Sequence, residues 1–307
     1  MKYEIQSDRL SLRFRYEPQR LFSERFESCG VIEQVWLDER YQFCEPEQRI
    51  APRMTCHGTG LCGEYVWNEL AQEVSPGELF PKIGVGLLTQ RPEGGPYEMF
   101  KHYQVEPFPT TVQMEPNRAI FIQEGKECLG IATRITKIVT VQENELTTET
   151  TLENIGAREL NLEEYQHNFV SLDGEKIGPG HDLHIPFDGT IEQISAKTFD
   201  PPHLHRRFSG YQQGKDHHIQ WVRHLGDYAY HKQTPAEDLH PEKGRFWKLT
   251  RTGSPLSVEE HFFFDPSLLV IWGMEHCACV EVYVPLQIAV RNSHTWKRVW
   301  RFCDEFD

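Results

Sequence analysis

Apolar and polar residues alternate with a period of two along most of this chain, the pattern of strands with one buried face. Residues 135–141 place Ile135, Lys137, Val139 and Val141 on one side, and Glu143-Asn144 offers a turn. Residues 145–154 follow with Leu146, Thr148, Thr150 and Leu152, rich in residues that suit a pleated surface, so the pair predicts an antiparallel hairpin. After a turn at Asn154-Ile155-Gly156, residues 160–172 return as a third strand ending at Asp173-Gly174, and the three predict a meander. The N-terminus alternates in the same way through Leu10, Leu12, Phe14 and Tyr16. Further strands are predicted over residues 219–221, 227–232, 245–251, 268–273, 279–290 and 295–302.

Helical periodicity is nearly absent; only residues 67–72 suggest a short helix, and the chain carries 22 Gly and 19 Pro. Turn signals recur about every 8–12 residues, which points to an all-β fold, a large sandwich or barrel. Residues 91–97 and 199–214 read as loops that could border a cleft. No linker divides the chain, so residues 1–307 are expected to form a single domain.

The 32 Lys plus Arg against 46 Asp plus Glu leave a net charge of −14. With no basic cluster to bind phosphates, nucleic acid and anionic membranes are not expected partners, and neutral or weakly charged ones are. The first 22 residues contain no apolar core of a secretory signal, and no run approaches about 18 apolar residues, so a soluble, cytoplasmic protein is expected. The eight cysteines are then expected to be free thiols, and none lies in the CxxC spacing of a structural zinc site.

Four constellations could carry chemistry. In Tyr165-Gln166-His167-Asn168-Phe169, strand alternation puts Tyr165, His167 and Phe169 on one face, so His167 is either a packed core histidine or a proton-transfer group flanked by aromatics. In residues 279–284, Val280, Val282 and Val284 share one face, leaving Glu281 and Tyr283 with Cys279 on the other. Glu281 is then either a solvated outward residue or a general base whose basicity partial burial raises. His181, His184, His203 and His205 form a histidine-rich middle that could suggest a metal site, but no carboxylate follows at the spacing such sites use, and a polar loop explains it as well. Gly84 and Gly86 lie in an apolar run without any phosphate-loop motif, where glycine marks a bend or a close backbone approach.

The segment 139–187, with Thr151-Leu152-Glu153-Asn154-Ile155-Gly156, then Tyr165-Gln166-His167-Asn168-Phe169 and Ile177-Gly178-Pro179, resembles the central part of the aldose 1-epimerase (galactose mutarotase) superfamily. The stretch from Val280-Glu281-Val282-Tyr283 to Phe302 is similar to the ending of that family. The resemblance implies a large β-supersandwich of antiparallel sheets with few short helices and a sugar cleft on its concave face. It also implies an isomerase that interconverts α and β anomers, with His167 as general acid and Glu281 as general base, and with no metal or organic cofactor required. Against the family pattern, Gln166 and Asn168 flank the histidine here, and Asn292 stands where the last turn usually has glycine. His102 is the candidate second histidine for holding substrate, Lys82 a further candidate, and Trp272 a candidate stacking platform for the sugar. A carbohydrate-binding protein without turnover, on the same scaffold, is the alternative; a metal-dependent isomerase or lyase using the histidine-rich middle is a third.

Overall fold

The computed structural model describes residues 3–17, 21–49, 55–186, 191–192, 211–213, 218–221, 224, 229–233 and 245–305. Among these, the alternating segments pair into two large antiparallel sheets and one small one, with strands numbered along the chain. The first sheet runs β1 (Glu4–Gln6), β2 (Leu10–Phe14), β3 (Ile32–Leu37), β5 (Leu61–Val66), β13 (Leu160–Asn168), β22 (Cys277–Ile288), β21 (Leu268–Met274), β18 (Ala229–Gln233), β15 (Ile191–Glu192), with β4 (Tyr41–Gln42) beside β3. The second runs β16 (Tyr211–Gln213), β17 (His218–Trp221), β14 (His181–His184), β19 (Phe246–Arg251), β20 (Leu256–Phe262), β23 (Ser293–Asp304), β12 (Glu145–Asn154), β11 (Thr133–Gln142), β10 (Arg118–Glu124), β9 (Thr110–Glu115). A third, of β6 (Leu79–Lys82), β7 (Gly86–Thr89) and β8 (Val105–Pro107), lies over its own cluster around Phe80, Val85 and Leu88.

Burial follows the alternation. In β11 every second residue from Thr133 to Val141 is buried, and β12 answers with Leu146, Thr148, Thr150, Leu152 and Asn154. These faces join Leu160, Val280, Val282, Val284 and Trp300 in one core between the two large sheets. The predicted hairpin is present in full register from Gln142↔Glu145 to Thr133↔Asn154, with Glu143 at φ +51° in the turn.

The predicted meander is not. Instead of pairing with β12, the third strand crosses to the first sheet and lies between β5 and β22, while β23 takes the place beside β12. Alternation gives a strand its buried face without naming its neighbour, and β23 offers β12 a matching row of Trp296, Arg298 and Trp300 from the far end of the chain. Two smaller differences follow from local chemistry. The short helix is a 3-10 turn at Asn68–Glu73. The left-handed residue of the last hairpin is Arg291, at φ +65°, rather than Asn292. The glycine-marked apolar run agrees with its reading as a bend: it is a β6–β7 hairpin, turning at residues 83–85 with Gly84 at φ +82°. No helix among the described residues is long and apolar enough to cross a membrane.

Candidate functional site

The face of the first sheet turned away from the core carries the outward residues of β5, β13 and β22 in cross-strand rows. One row holds Cys62 beside His167, and the next holds Glu64, Tyr165 and Tyr283. Glu281 stands two residues before Tyr283 on β22, which brings its Oε1 to 3.1 Å from His167 Nε2. The structure thus brings together two residues 114 positions apart in the sequence, and both are buried, at 2 % and 4 % exposure. Phe169 stacks on the imidazole at 3.8 Å, and Trp272 and Phe26 meet it edge-on at 5.2 and 5.7 Å. Three aromatic rings thus pack around the imidazole. No described protein group reaches His167 Nδ1.

A second layer surrounds the pair. Arg25 lies over Phe26 at 4.4 Å, donates from Nε to Glu64 at 2.6 Å and from Nη2 to the Tyr165 hydroxyl at 2.6 Å. The Tyr165 hydroxyl in turn donates to Glu64, and Lys82 Nζ donates to Glu64 at 2.9 Å and to the Tyr65 carbonyl at 2.7 Å. Burial would push the Glu64 carboxyl up, but Lys82 and Arg25 hold it down at about 2, so it is a fixed negative charge. The two cations beside the site are thereby already committed to a carboxylate.

The pair itself is tuned the other way. Burial pushes Glu281 up to about 8, against the pull of Arg25 and of the Tyr283 hydroxyl, which donates to it at 3.2 Å. Burial, and then Arg25, hold His167 well below its ordinary value. At neutral pH the carboxyl is therefore mostly protonated and the imidazole neutral, one proton for two groups whose Oε1 and Nε2 lie 3.1 Å apart. Upstream on the same strand face, the Cys277 thiol is drawn to about 7: burial opposes ionisation, while Cys279 and His276 favour it. All eight cysteines are free.

The other sequence candidates land as follows. Trp272 belongs to the aromatic wall of His167 and is buried. Lys82 is one carboxylate removed from Tyr165, bound to Glu64 under the ring of Tyr97. His102 has a side chain 75 % exposed and binds through Nδ1 to buried Glu24 at 2.7 Å, away from the pair's own contacts. His181 and His184 lie on β14 in the other sheet, and His203 and His205 fall outside the described residues; among the described residues no group of three His, Cys, Asp or Glu is arranged to hold a metal. In loop 91–97 Tyr97 packs into the apolar cluster of the small sheet, and loop 199–214 lies almost entirely outside the described residues. A cleft of about 890 Å³ opens further along the same strands, lined among others by Val66, Trp67, Glu163, Pro285 and His294, and not by His167 or Glu281.

Arg25 and Glu64 escaped the sequence reading. Glu64 carries the same signal as Glu281, a carboxylate on an otherwise apolar strand, Leu61–Val66. Arg25 sits in an irregular segment where no periodicity assigns a side, and only the adjacent Phe26 hints at stacking.

Neither a scan against family models nor a search of curated proteins matches this chain. Solved structures do. A galactose mutarotase-like protein from Lactobacillus casei ATCC 334 matches with TM-score 0.60 at 9% identity, covering 98% of this chain and 100% of the other. A galactose mutarotase-like protein from Clostridium acetobutylicum matches with TM-score 0.59 at 11% identity over 98% and 94%. An aldose epimerase homologue from C. elegans matches with TM-score 0.56 at 11% identity over 100% and 99%. At such identities the likeness is one of architecture, and this chain has the galactose mutarotase-like fold.

Proposed function

We propose that this protein is an acid–base isomerase that interconverts the α and β anomers of an aldose, with His167 and Glu281 as the reacting groups. The observation that carries the reading is the direct contact of the two side chains at 3.1 Å, buried under aromatic rings on the outer face of the sheet.

Anomer exchange needs one group to take a proton from the anomeric hydroxyl while another gives one to the ring oxygen. Transfer of the shared proton from Glu281 to His167 arms the pair as carboxylate and imidazolium. The Glu281 carboxylate then accepts the O1 proton, His167 Nε2 donates to O5, the C1–O5 bond breaks and C1=O1 forms. This leaves Glu281 protonated and His167 neutral, the distribution favoured by burial in the free protein. Rotation about C1–C2 and the reverse transfers close the ring on the other face and restore the pair. The proton count is conserved, so the cycle draws on no further reactant. Arg25 and Lys82, both tied to Glu64, favour a neutral sugar over a phosphorylated one.

The test is α/β exchange across a panel of free aldoses, followed by saturation-transfer NMR. Wild type should accelerate exchange of at least one sugar, and Glu281→Gln and His167→Asn should each lower that rate by about 100-fold or more. Binding of a sugar without exchange, unchanged by His167→Ala, would replace this reading with that of a carbohydrate-binding protein on the same fold.

A further inference from the structure

The ladder between β13 and β22 opens at the candidate site and closes again beyond it. Pairing runs from Leu160↔Ile288 to Tyr165↔Tyr283, and the same register returns at Val170↔Ala278, whose N–H and C=O groups bond in both directions at 2.9 and 3.1 Å. Between these, β13 stays paired with β5 as far as Asn168↔Leu61, and β22 stays paired with β21 as far as Met274↔Cys277. The pairs Gln166↔Val282, His167↔Glu281 and Asn168↔Val280 are missing from the ladder, so the two strands are only partly joined there, with His167 and Glu281 at the middle of the interruption.

Carbonyls bordering this interruption accept from side chains on the core side of the sheet. Asn168 Nδ2 donates to Val280 O at 2.7 Å and lies 3.4 Å from Gln166 O. Arg298 Nη2, reaching across from β23, donates to Val282 O at 2.8 Å. Those two carbonyls belong to the residues on either side of Glu281. One carboxylate locks both donors: Glu260 on β20 accepts from Asn168 Nδ2 at 2.9 Å and from Arg298 Nη1 at 2.8 Å. Trp300 Nε1 donates to Asn168 Oδ1 at 3.0 Å, fixing the amide's orientation.

We infer that Asn168 and Arg298 are positioning residues for the acid–base pair, holding the strand segment around Glu281 at the separation from β13 that lets its carboxyl meet His167. A ladder closed through these rungs would fix the two strands by backbone alone; here buried side chains set their distance, so the placement of Glu281 is a property of residues that never face the substrate. An ordinary structural hydrogen bond adds stability wherever it sits. These bear on the geometry of one side chain, and misplacement by about 1 Å is enough to cost about 100-fold in rate.

This inference rests on the acid–base reading above, and its test separates the two. Asn168→Ala is compared with Trp247→Phe, which removes a 2.7 Å donor from the same Glu260 but touches neither carbonyl. Asn168→Ala should lower kcat for anomer exchange by about 10–100-fold with KM within about two-fold of wild type, and should move the upper limb of the pH–rate profile. Trp247→Phe should lose stability and keep both. Should Asn168→Ala fail to fold, Trp300→Phe frees the Asn168 amide with less disruption and should shift the same limb in the same direction. Parallel losses of stability and rate in all variants, with an unchanged pH profile, would reduce the network to a structural role. NMR titration of the His167 imidazole in the free protein gives the decisive readout without turnover. If wild type exchanges no aldose, the functional reading fails, while a changed His167 titration in Asn168→Ala still upholds the positioning, and an unchanged one rejects it.

Discussion

Glu281 and His167 are unusual in that burial acts on both and in opposite directions. It raises the carboxyl to about 8 and lowers the imidazole, so the two hold one proton over the range where free Glu and His would together hold none or one on the ring. A pair that works by passing one proton is competent only while it carries one. As pH rises through about 8 that proton leaves, and the rate of anomer exchange should fall along the alkaline limb. As pH falls, a second proton is resisted until well below the ordinary value of histidine, so the acid limb should lie below 6.5. The profile of kcat/KM against pH, measured with the most active sugar, should therefore be a broad bell with its alkaline edge near 8. Loss of activity as pH falls from 8 to 7 would contradict the assignment, because it would mean that the working state carries no shared proton.

At the scale of the element, the site depends on how the beginning of β5 meets the end of β13. Gly60, just before β5, has φ +57°, and a Cβ there would run into the backbone carbonyls of Ile32 and Glu33 on β3. Its own carbonyl accepts at 2.9 Å from the N–H of Phe169, two residues after His167. Gly60→Ala should thus cost at least about 2 kcal/mol, more than conformational strain alone. Gly77→Ala, at φ +87° with open space around it, should cost only about 1 kcal/mol, and urea unfolding of both compares them directly. This junction was not legible in the sequence, since a glycine between Thr59 and Leu61 looks the same whether or not a third strand lies against it. What alternation did carry is the side on which each residue falls. It put Tyr165, His167 and Phe169 together, and Glu281 with Tyr283, and those faces hold in β13 and β22. Pairing it could not carry: the contact between His167 and Glu281 depends on β13 leaving β12 for the other sheet, and nothing in the period of a strand encodes its neighbour. Arg25 was hidden for a related reason, because it lies in a segment without period, and its partners Glu64 and Tyr165 are distant in sequence.

Across the whole molecule, the core beneath the site is not apolar. Lys137 of β11 binds Glu27, Arg298 of β23 binds Glu164 of β13 and Glu260 of β20, and Glu27 and Glu164 approach each other across Gly63 of β5. These buried charges tie both large sheets to the segment that leads into β3, and Lys137 is the residue whose place on an apolar face was visible in the alternation of residues 135–141. Burial pushes the Glu27 carboxyl up while Lys137 restrains it. Breaking such a pair costs more than the pair contributes, because the survivor is left charged in a poor dielectric. Lys137→Met should therefore destabilise the protein by about 3–5 kcal/mol near pH 8. In that variant Glu27 keeps a carboxyl raised above its unfolded value, so the folded state binds the extra proton and the deficit should shrink as pH falls towards 5. Adding Glu27→Gln removes the orphaned charge and should restore most of the loss at pH 8. Urea unfolding of the wild type, the single variant and the double variant at the two pH values gives both comparisons. A deficit equal at pH 8 and pH 5, undiminished in the double variant, would show that Lys137 acts through the packing of its aliphatic stem, and that the charge of Glu27 is neutralised from elsewhere in the core.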